Sequence, residues 1–327
     1  MPSQDKLFLL ASVDSSNALT DLFDFVWPNA VALWNLQWQT KGFLAQMPDA
    51  TVEELNARFV LGSKIRGANL HRLANQQAWP QMQQWFSRLL ISEICALFEG
   101  WIESAFDELE LPDSIRKAGT SDSLDKRLQF PTVFDKSGGV TGGAMYAVQK
   151  IQGAKSSFIQ TCLIPSMTKG KKNGVSNLEN LLVAYRAFKE ARNDFTHHGG
   201  RASERTVEKC AAYSAETATS LGVKQKPEFP QVILGDQIEL SLRGVVGFSD
   251  VVLRLIASFD LLLSDSVFAE NVIKKRWKVK HGGLIMVKSP GKQRDDHLVK
   301  LIKQCGLPTP VNPAALYSQL HTWRLVA

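Results

Sequence analysis

Near the middle of the chain, Arg192-Asn193-Asp194-Phe195-Thr196-His197 sets a permanent cation five positions ahead of an imidazole. Arginine's planar guanidinium donates two parallel hydrogen bonds to the non-bridging oxygens of a phosphate, and it gains most where negative charge builds up in a transition state. Histidine, ordinarily titrating near 6.5, accepts or gives up a proton close to neutrality, help worth roughly 10²- to 10⁴-fold. RNA brings its own nucleophile, the 2′-hydroxyl beside the scissile phosphate, so such a pair can cut it without a metal. The products of that chemistry are a 2′,3′-cyclic phosphate and a 5′-hydroxyl. The same residues also suit a plain helix terminus. In His197-His198-Gly199-Gly200 the imidazoles answer the helix dipole and a glycine is free to take the left-handed cap conformation. His198, at an Arg-x5-His spacing, is the alternative base.

The element that must hold these residues is a helix over 178–196, with Leu178, Leu181, Leu182, Tyr185 and Phe188 on its inward face. At about 100° per residue, Arg192 and His197 stand roughly 140° apart, whereas Asn193 and His197 share a face. One straight helix presents the pair poorly. Either Gly199-Gly200 lets the last turn unwind, or the motif of a second copy completes the site.

Around it the pattern is mainly α. Apolar positions crowd helically over 18–46, where Trp27, Trp34 and Trp38 read as core. Thr51-Val52-Glu53-Glu54 is a capping box opening a helix to about Ala74. A broad apolar face spans 85–109 through Phe86, Leu90, Ile94, Leu97, Trp101 and Ala105, with Pro112 closing it. On that helix Glu99 and Glu103 form a solvated pair, one of which could orient His197. The stretch 121–177 is punctuated by Gly138-Gly139, Gly142-Gly143 and Lys169-Gly170-Lys171-Lys172-Asn173-Gly174 and reads as loop-rich. Further helices are expected over 205–221, 242–268 and 295–304, the second the most apolar in the chain. Short hairpins are expected at 232–238 across Gly235-Asp236, and at 277–287 turned by His281-Gly282-Gly283.

With 44% apolar residues in 327, the chain can bury a sizeable core. A net charge of +6 and a pI near 9.1 allow an anionic partner without requiring one. Lys274, Lys275, Arg276, Trp277 and Lys278 interleave cations with an indole, as would a strand tracking a phosphate backbone and stacking a base; a solvated basic strand beside a core tryptophan is the plain alternative. Cys95, Cys162, Cys210 and Cys305 lie far apart without a CxxC pair, and His71, His281, His297 and His321 lack metal-ligand spacing, so neither disulfides nor a metal are implied. Gly138 to Gly143 lacks the Gly-Lys-Ser/Thr ending of a nucleotide-binding P-loop. The apolar run after Lys6 is too short for a signal peptide. The run at 251–263 is broken by Arg254 and Asp260, as in a buried helix. A soluble, cytoplasmic protein is expected.

The Arg-polar-x3-His hexapeptide at the end of an amphipathic helix resembles the HEPN domain superfamily, and of its features only the hexapeptide is specific. The 85–109 helix and the apolar helix beginning at Leu242 agree with it, over a span of about 84–272. The resemblance implies a bundle of four to five helices, dimerised so that two motifs face each other. It names Arg192 and His197 as the catalytic pair and Asn193 as the polar residue between them. It further implies a metal-independent endoribonuclease that needs no cofactor, a toxin or antiphage effector with an antitoxin or regulatory protein as possible partner. A catalytically silent HEPN module that binds RNA or a protein is the alternative, and a helical scaffold in which Arg192 and His197 only cap and pair is a third. The organisation expected is an N-terminal helical extension (1–83), the HEPN-like domain (84–272, with the 121–177 insert) and a small basic α/β appendage (273–327).

Overall fold

A computed structural model describes residues 6–112, 115, 133–134 and 140–327. Among them the chain is mainly helical, with one pair of short antiparallel strands, β1 (Val133–Phe134) and β2 (Val140–Gly142). The helices are α1 (Leu10–Gln46), α2 (Val52–Phe59), α3 (Leu70–Asn75), α4 (Trp79–Glu108), α5 (Gly143–Ile151), α6 (Ser157–Cys162), α7 (Ile164–Met167), α8 (Leu178–His197), α9 (Glu204–Ser214), α10 (Leu242–Ser264), α11 (Val267–His281), α12 (Lys292–Gln304) and α13 (Pro313–Thr322).

The centre is built by α4, α8 and α10, with α1 lying antiparallel along α4. Their inward faces bring aromatic rings together. Phe188 stacks on Phe248 with centroids 4.5 Å apart, Tyr185 lies against Phe98 at 4.8 Å, and Trp101 is sealed between α1 and α10. One continuous core reaches from Phe8 to Val326, so residues of the expected N- and C-terminal extensions contribute to it. A smaller cluster, with Leu44, Leu55, Leu73 and Met82, sits under α2 and α3.

The start of α1 is held from far away in sequence. The backbone N–H groups of Phe8 and Leu9 donate to the two carboxylate oxygens of Asp260 at 2.8 Å each, and the Ser12 hydroxyl donates to the same group at 2.7 Å. Glu108 accepts from the next two N–H groups, those of Leu10 and Ala11. Two carboxylates from other helices thus satisfy the orphan donors that a local cap would otherwise take. This is why α1 begins eight residues before its apolar pattern announces it.

Several expectations change. Trp27, Trp34 and Trp38 are not core; they are 43%, 41% and 62% exposed, and Val31 beside them 57%. The buried seam of α1 runs through Leu19, Val26, Ala30, Gln37 and Leu44. The tryptophans stand one position further on, about 100° round the helix, on a stripe of their own. The capping box at Thr51 forms as expected. The helix it opens stops at Phe59, because Gly62, Lys64 and Gly67 all take positive φ before α3 resumes the path. Within the insert, the Gly138-Gly139 pair lies outside the described residues. From Gly143 onward the segment is packed helix rather than loop, burying Ala147, Ile151, Phe158, Ile159 and Met167.

The helix expected over 205–221 ends at Ser214. The long apolar helix breaks at Asp265, after which the Ser266 side chain caps α11. No hairpin forms at 232–238: Gly235 N–H donates to Ala202 O, Ala202 N–H to Asp236 O and Ile238 N–H to Gly200 O, so this strip pairs with the chain leaving α8. Nor is there one at 277–287. Trp277 belongs to α11, which runs to His281 and ends on Gly282 at φ 75°. The C-terminal part is accordingly helical, with one isolated parallel bridge between Ile285 and Val326 in place of a sheet. The last helix, α13, is unforeseen, although Asn312-Pro313 is a readable N-cap and first position.

Candidate active site

The motif occupies the last turn and a half of α8. Helical geometry persists through His197, and His198 is the cap. The expected unwinding that would swing His197 round to Arg192 does not occur. Gly199 and Gly200 reverse the chain only afterwards, at φ 62° and 86°. Gly200 is confined as well as left-handed, since a β-carbon there would fall 2.3 Å from Gln237 Nε2 and 3.1 Å from the Phe195 ring. The turn closes on Asp194, whose backbone carbonyl accepts from both His198 and Gly200 N–H at 2.9 Å.

Asp194 is the fixed point of this end. Its buried carboxylate accepts from the Thr206 hydroxyl (2.5 Å), the Ser203 N–H (2.9 Å) and His198 Nδ1 (2.7 Å), tying α8 to the first turn of α9. Burial pushes its titration up, but the hydrogen bonds from Thr206, Ser203 and His198 outweigh that and hold it below the ordinary carboxylate value. His198 is therefore held on one side with its Nδ1 toward a carboxylate, while His197 is exposed and has no hydrogen-bond partner among the described residues.

Arg192 is half-buried. One guanidinium nitrogen donates to Asn193 Oδ1 at 3.2 Å, and its Nε is shut in without a partner among the described residues. No carboxylate pairs with it there. Asn193 in turn donates to Glu190 Oε2 at 3.3 Å, and Glu190 faces the exposed Arg205 at 3.5 Å. Asn193 thus connects the two predicted catalytic residues, bonding the guanidinium on one side and sharing a helical face with His197 on the other. Arg192 and His197 remain apart within one chain.

The other predicted residues are placed elsewhere. Glu99 does not reach His197; it forms an ion pair with Lys189 at 2.5 Å, with side chains 14% and 7% exposed. A pair this deep costs about 3–5 kcal/mol if one partner is removed, because the other is left charged in the interior. Glu103 is solvated as expected. The basic segment is on a helix, which disperses its side chains. Trp277 is buried and donates to Gly283 O; Arg276 bonds Phe8 O and pairs with Glu108. Lys275 pairs with Glu110, Lys274 lies over the Trp323 ring, and Lys278 is exposed. This group sits at the Glu108 end of α4. The motif sits at the Arg88 end, on the order of 30 Å away at 1.5 Å per residue. The phosphate-tracking strand expected there is not formed.

Arg88 is a neighbour that sequence reasoning missed. It projects from α4 over the face of Phe195, 4.8 Å from the ring centroid, and comes to within 3.2 Å of a β-carbon placed on Gly200. Between it and the Gly199 turn opens a pocket of about 550 Å³. The four cysteines are free and buried, and burial raises the thiols of Cys95, Cys162 and Cys210 to about 12. Among the described residues no cluster of histidine, cysteine and carboxylate side chains could hold a metal, and no helix is long and apolar enough to cross a membrane.

Compared with known proteins, the chain matches no family model, no curated sequence and no solved structure.

Proposed function

We propose that the chain is a metal-independent endoribonuclease of the HEPN kind, working as a homodimer in which Arg192 of one copy meets His197 of the other. One observation carries the reading. The C-terminal end of α8 presents a guanidinium that no carboxylate neutralises among the described residues, bonded by the neutral Asn193, and, on another face of the helix, an imidazole with no hydrogen-bond partner among them. An arginine meant only to pair would have an acidic partner, and a histidine meant only to cap is already supplied by His198.

In the reaction, His197 takes the proton from the 2′-hydroxyl, O2′ attacks phosphorus, and the P–O5′ bond breaks. The imidazolium so formed returns its proton to the leaving 5′-oxygen, so a cyclic phosphate and a 5′-hydroxyl result and His197 is neutral again. Arg192 hydrogen-bonds the non-bridging oxygens as charge gathers on the phosphorane. A toxin or antiphage effector, restrained by an antitoxin or regulatory protein in the cytoplasm, is the setting that goes with this activity.

The test is incubation of the full chain with total RNA in excess EDTA, beside His197→Ala, with fragment ends assigned by mass spectrometry. Cleavage that persists in EDTA, leaves cyclic phosphates and disappears in the variant is expected. Cleavage abolished by EDTA, or equal in both proteins, would overturn the reading. Binding of RNA without cleavage would favour a silent module instead.

A further inference from the structure

We infer that the pocket between the first turns of α4 and the Gly199 turn is a nucleotide subsite, taking the nucleotide next to the scissile phosphate of single-stranded RNA. This rests on the nuclease reading above and adds to it the part of the substrate that the motif does not touch.

Four groups of different chemistry converge on the pocket. Arg88 lines it, and no carboxylate forms an ion pair with it among the described residues. The guanidinium rests on Phe195, its Nε is buried without a hydrogen-bond partner, and no ion pair or side-chain hydrogen bond is made among the described residues. A cation stacked on a ring keeps its in-plane donors directed sideways, which suits a phosphate. Trp85, one turn earlier on the same helix face, lines the same pocket and is 44% exposed, an indole surface on which a base can stack.

The two amides in the wall are each half used. Gln84 Oε1 accepts from Leu240 N–H, which leaves its amide NH2 without a partner among the described residues. Gln237 Nε2 donates to Gly199 O, which leaves its carbonyl without one among them. One fixed donor and one fixed acceptor beside an aromatic face match the polar edge of a nucleobase. Glu239, exposed at the rim, offers an acceptor for a base N–H or a ribose hydroxyl. The volume is within the range of small-ligand sites.

The position also fits. Phe195 lies three residues after Arg192, so the two are neighbours on α8, and Arg88 covers the Phe195 ring. A phosphate on Arg88 and one on Arg192 would lie on either side of this one turn, as consecutive phosphates of one strand do.

The experiment measures binding apart from cleavage. A fluorescent ten-nucleotide 2′-O-methyl oligouridine, which lacks the nucleophilic hydroxyl, is titrated into the full chain and into Arg88→Ala, Arg88→Lys, Trp85→Ala and Lys278→Ala, each with its melting temperature. Trp85→Ala should weaken binding about 5- to 100-fold. Arg88→Ala should weaken it at least about tenfold and flatten the log–log salt dependence by about one. Arg88→Lys, which cannot stack and fork alike, should not restore it, and Lys278→Ala should be neutral. Failure of the wild-type chain to bind, or binding within twofold of wild type in both Arg88→Ala and Trp85→Ala, overturns the subsite. Trp85 is at the surface, so its variant remains informative even if Arg88→Ala unfolds. If the pocket variants lose binding while wild type cuts no RNA, the subsite stands and the nuclease reading falls. If wild type cuts RNA and the variants bind normally, the reverse holds.

Discussion

His197→Ala will lower RNA cleavage about 10²- to 10⁴-fold and leave thermal stability within about 0.5 kcal/mol of wild type, whereas His198→Ala will do the opposite. The contrast follows from what each imidazole touches. His197 is exposed with nothing to hold it, so its removal breaks no contact among the described residues. His198 gives its Nδ1 hydrogen bond to the buried Asp194, the group that also receives Ser203 and Thr206. Losing that bond costs about 1 kcal/mol, a melting shift of about 1–2 °C for a chain of this length. Rates on a defined RNA and calorimetric scans of both variants decide the matter. If His198→Ala is the one that stops cleavage, the Asp194–His198 pair is the working acid–base unit and His197 is not.

The dimer makes a sharper demand. In a two-fold assembly with composite sites, random mixing of Arg192→Ala and His197→Ala chains makes about half the dimers mixed, each with one intact site out of two, so about a quarter of wild-type activity should return. A mixture as dead as its components would show that both groups act from the same chain.

Asp260→Ala will cost about 2–4 kcal/mol at neutral pH and detach the start of α1 from α10. Three buried donors, the N–H groups of Phe8 and Leu9 and the Ser12 hydroxyl, lose their acceptor. Each such orphan is worth about 1–3 kcal/mol, offset by the charge that no longer has to be buried. That burial raises Asp260 from 3.8 to about 6, against the pull of the Phe8, Ser12 and Leu9 hydrogen bonds. Between about pH 4 and 6 the folded chain holds this proton and the unfolded chain has lost it. Stability contributed by the group is therefore full below about 4 and declines as pH rises through about 6. Taking wild type from pH 7 to 5 should gain about 1 kcal/mol that Asp260→Ala does not gain, read from denaturant midpoints at the two pH values. An equal pH dependence in both proteins would count against a proton on Asp260. Asp194 acts in the other sense: its lowered titration adds stability above the ordinary carboxylate range, which is lost as pH falls through its folded value.

The two carboxylates show what could and could not be read from the chain. The inward face of α8 was legible because Leu178, Leu181, Leu182, Tyr185 and Phe188 repeat at helical spacing, and the structure buries all of them. The capping box at Thr51 was legible because both partners lie within one turn. The beginning of α1 was not, since its caps come from Glu108 and Asp260, far along the chain. The basic segment after Lys274 was misread because Lys-Arg-Trp-Lys-Val alternates like a strand. The positions that decide the matter are Ala269, Ile273 and Trp277, four apart and all buried. Residue type led the assignment of the tryptophans of α1 astray: their hydrophobicity says core, while their phase, one step off the seam, says surface. For the site, the hexapeptide was visible, but Arg88 was not, because only folding brings α4 across Phe195.

The stripe on α1 has an optical consequence. Trp34 and Trp38 lie with ring centroids 5.9 Å apart in tilted orientation, and both are open to water, while Trp101 and Trp277 are sealed. Two indoles that close share their excited states, so quencher-accessible emission should come largely from this helix, with Trp85 as the other open indole.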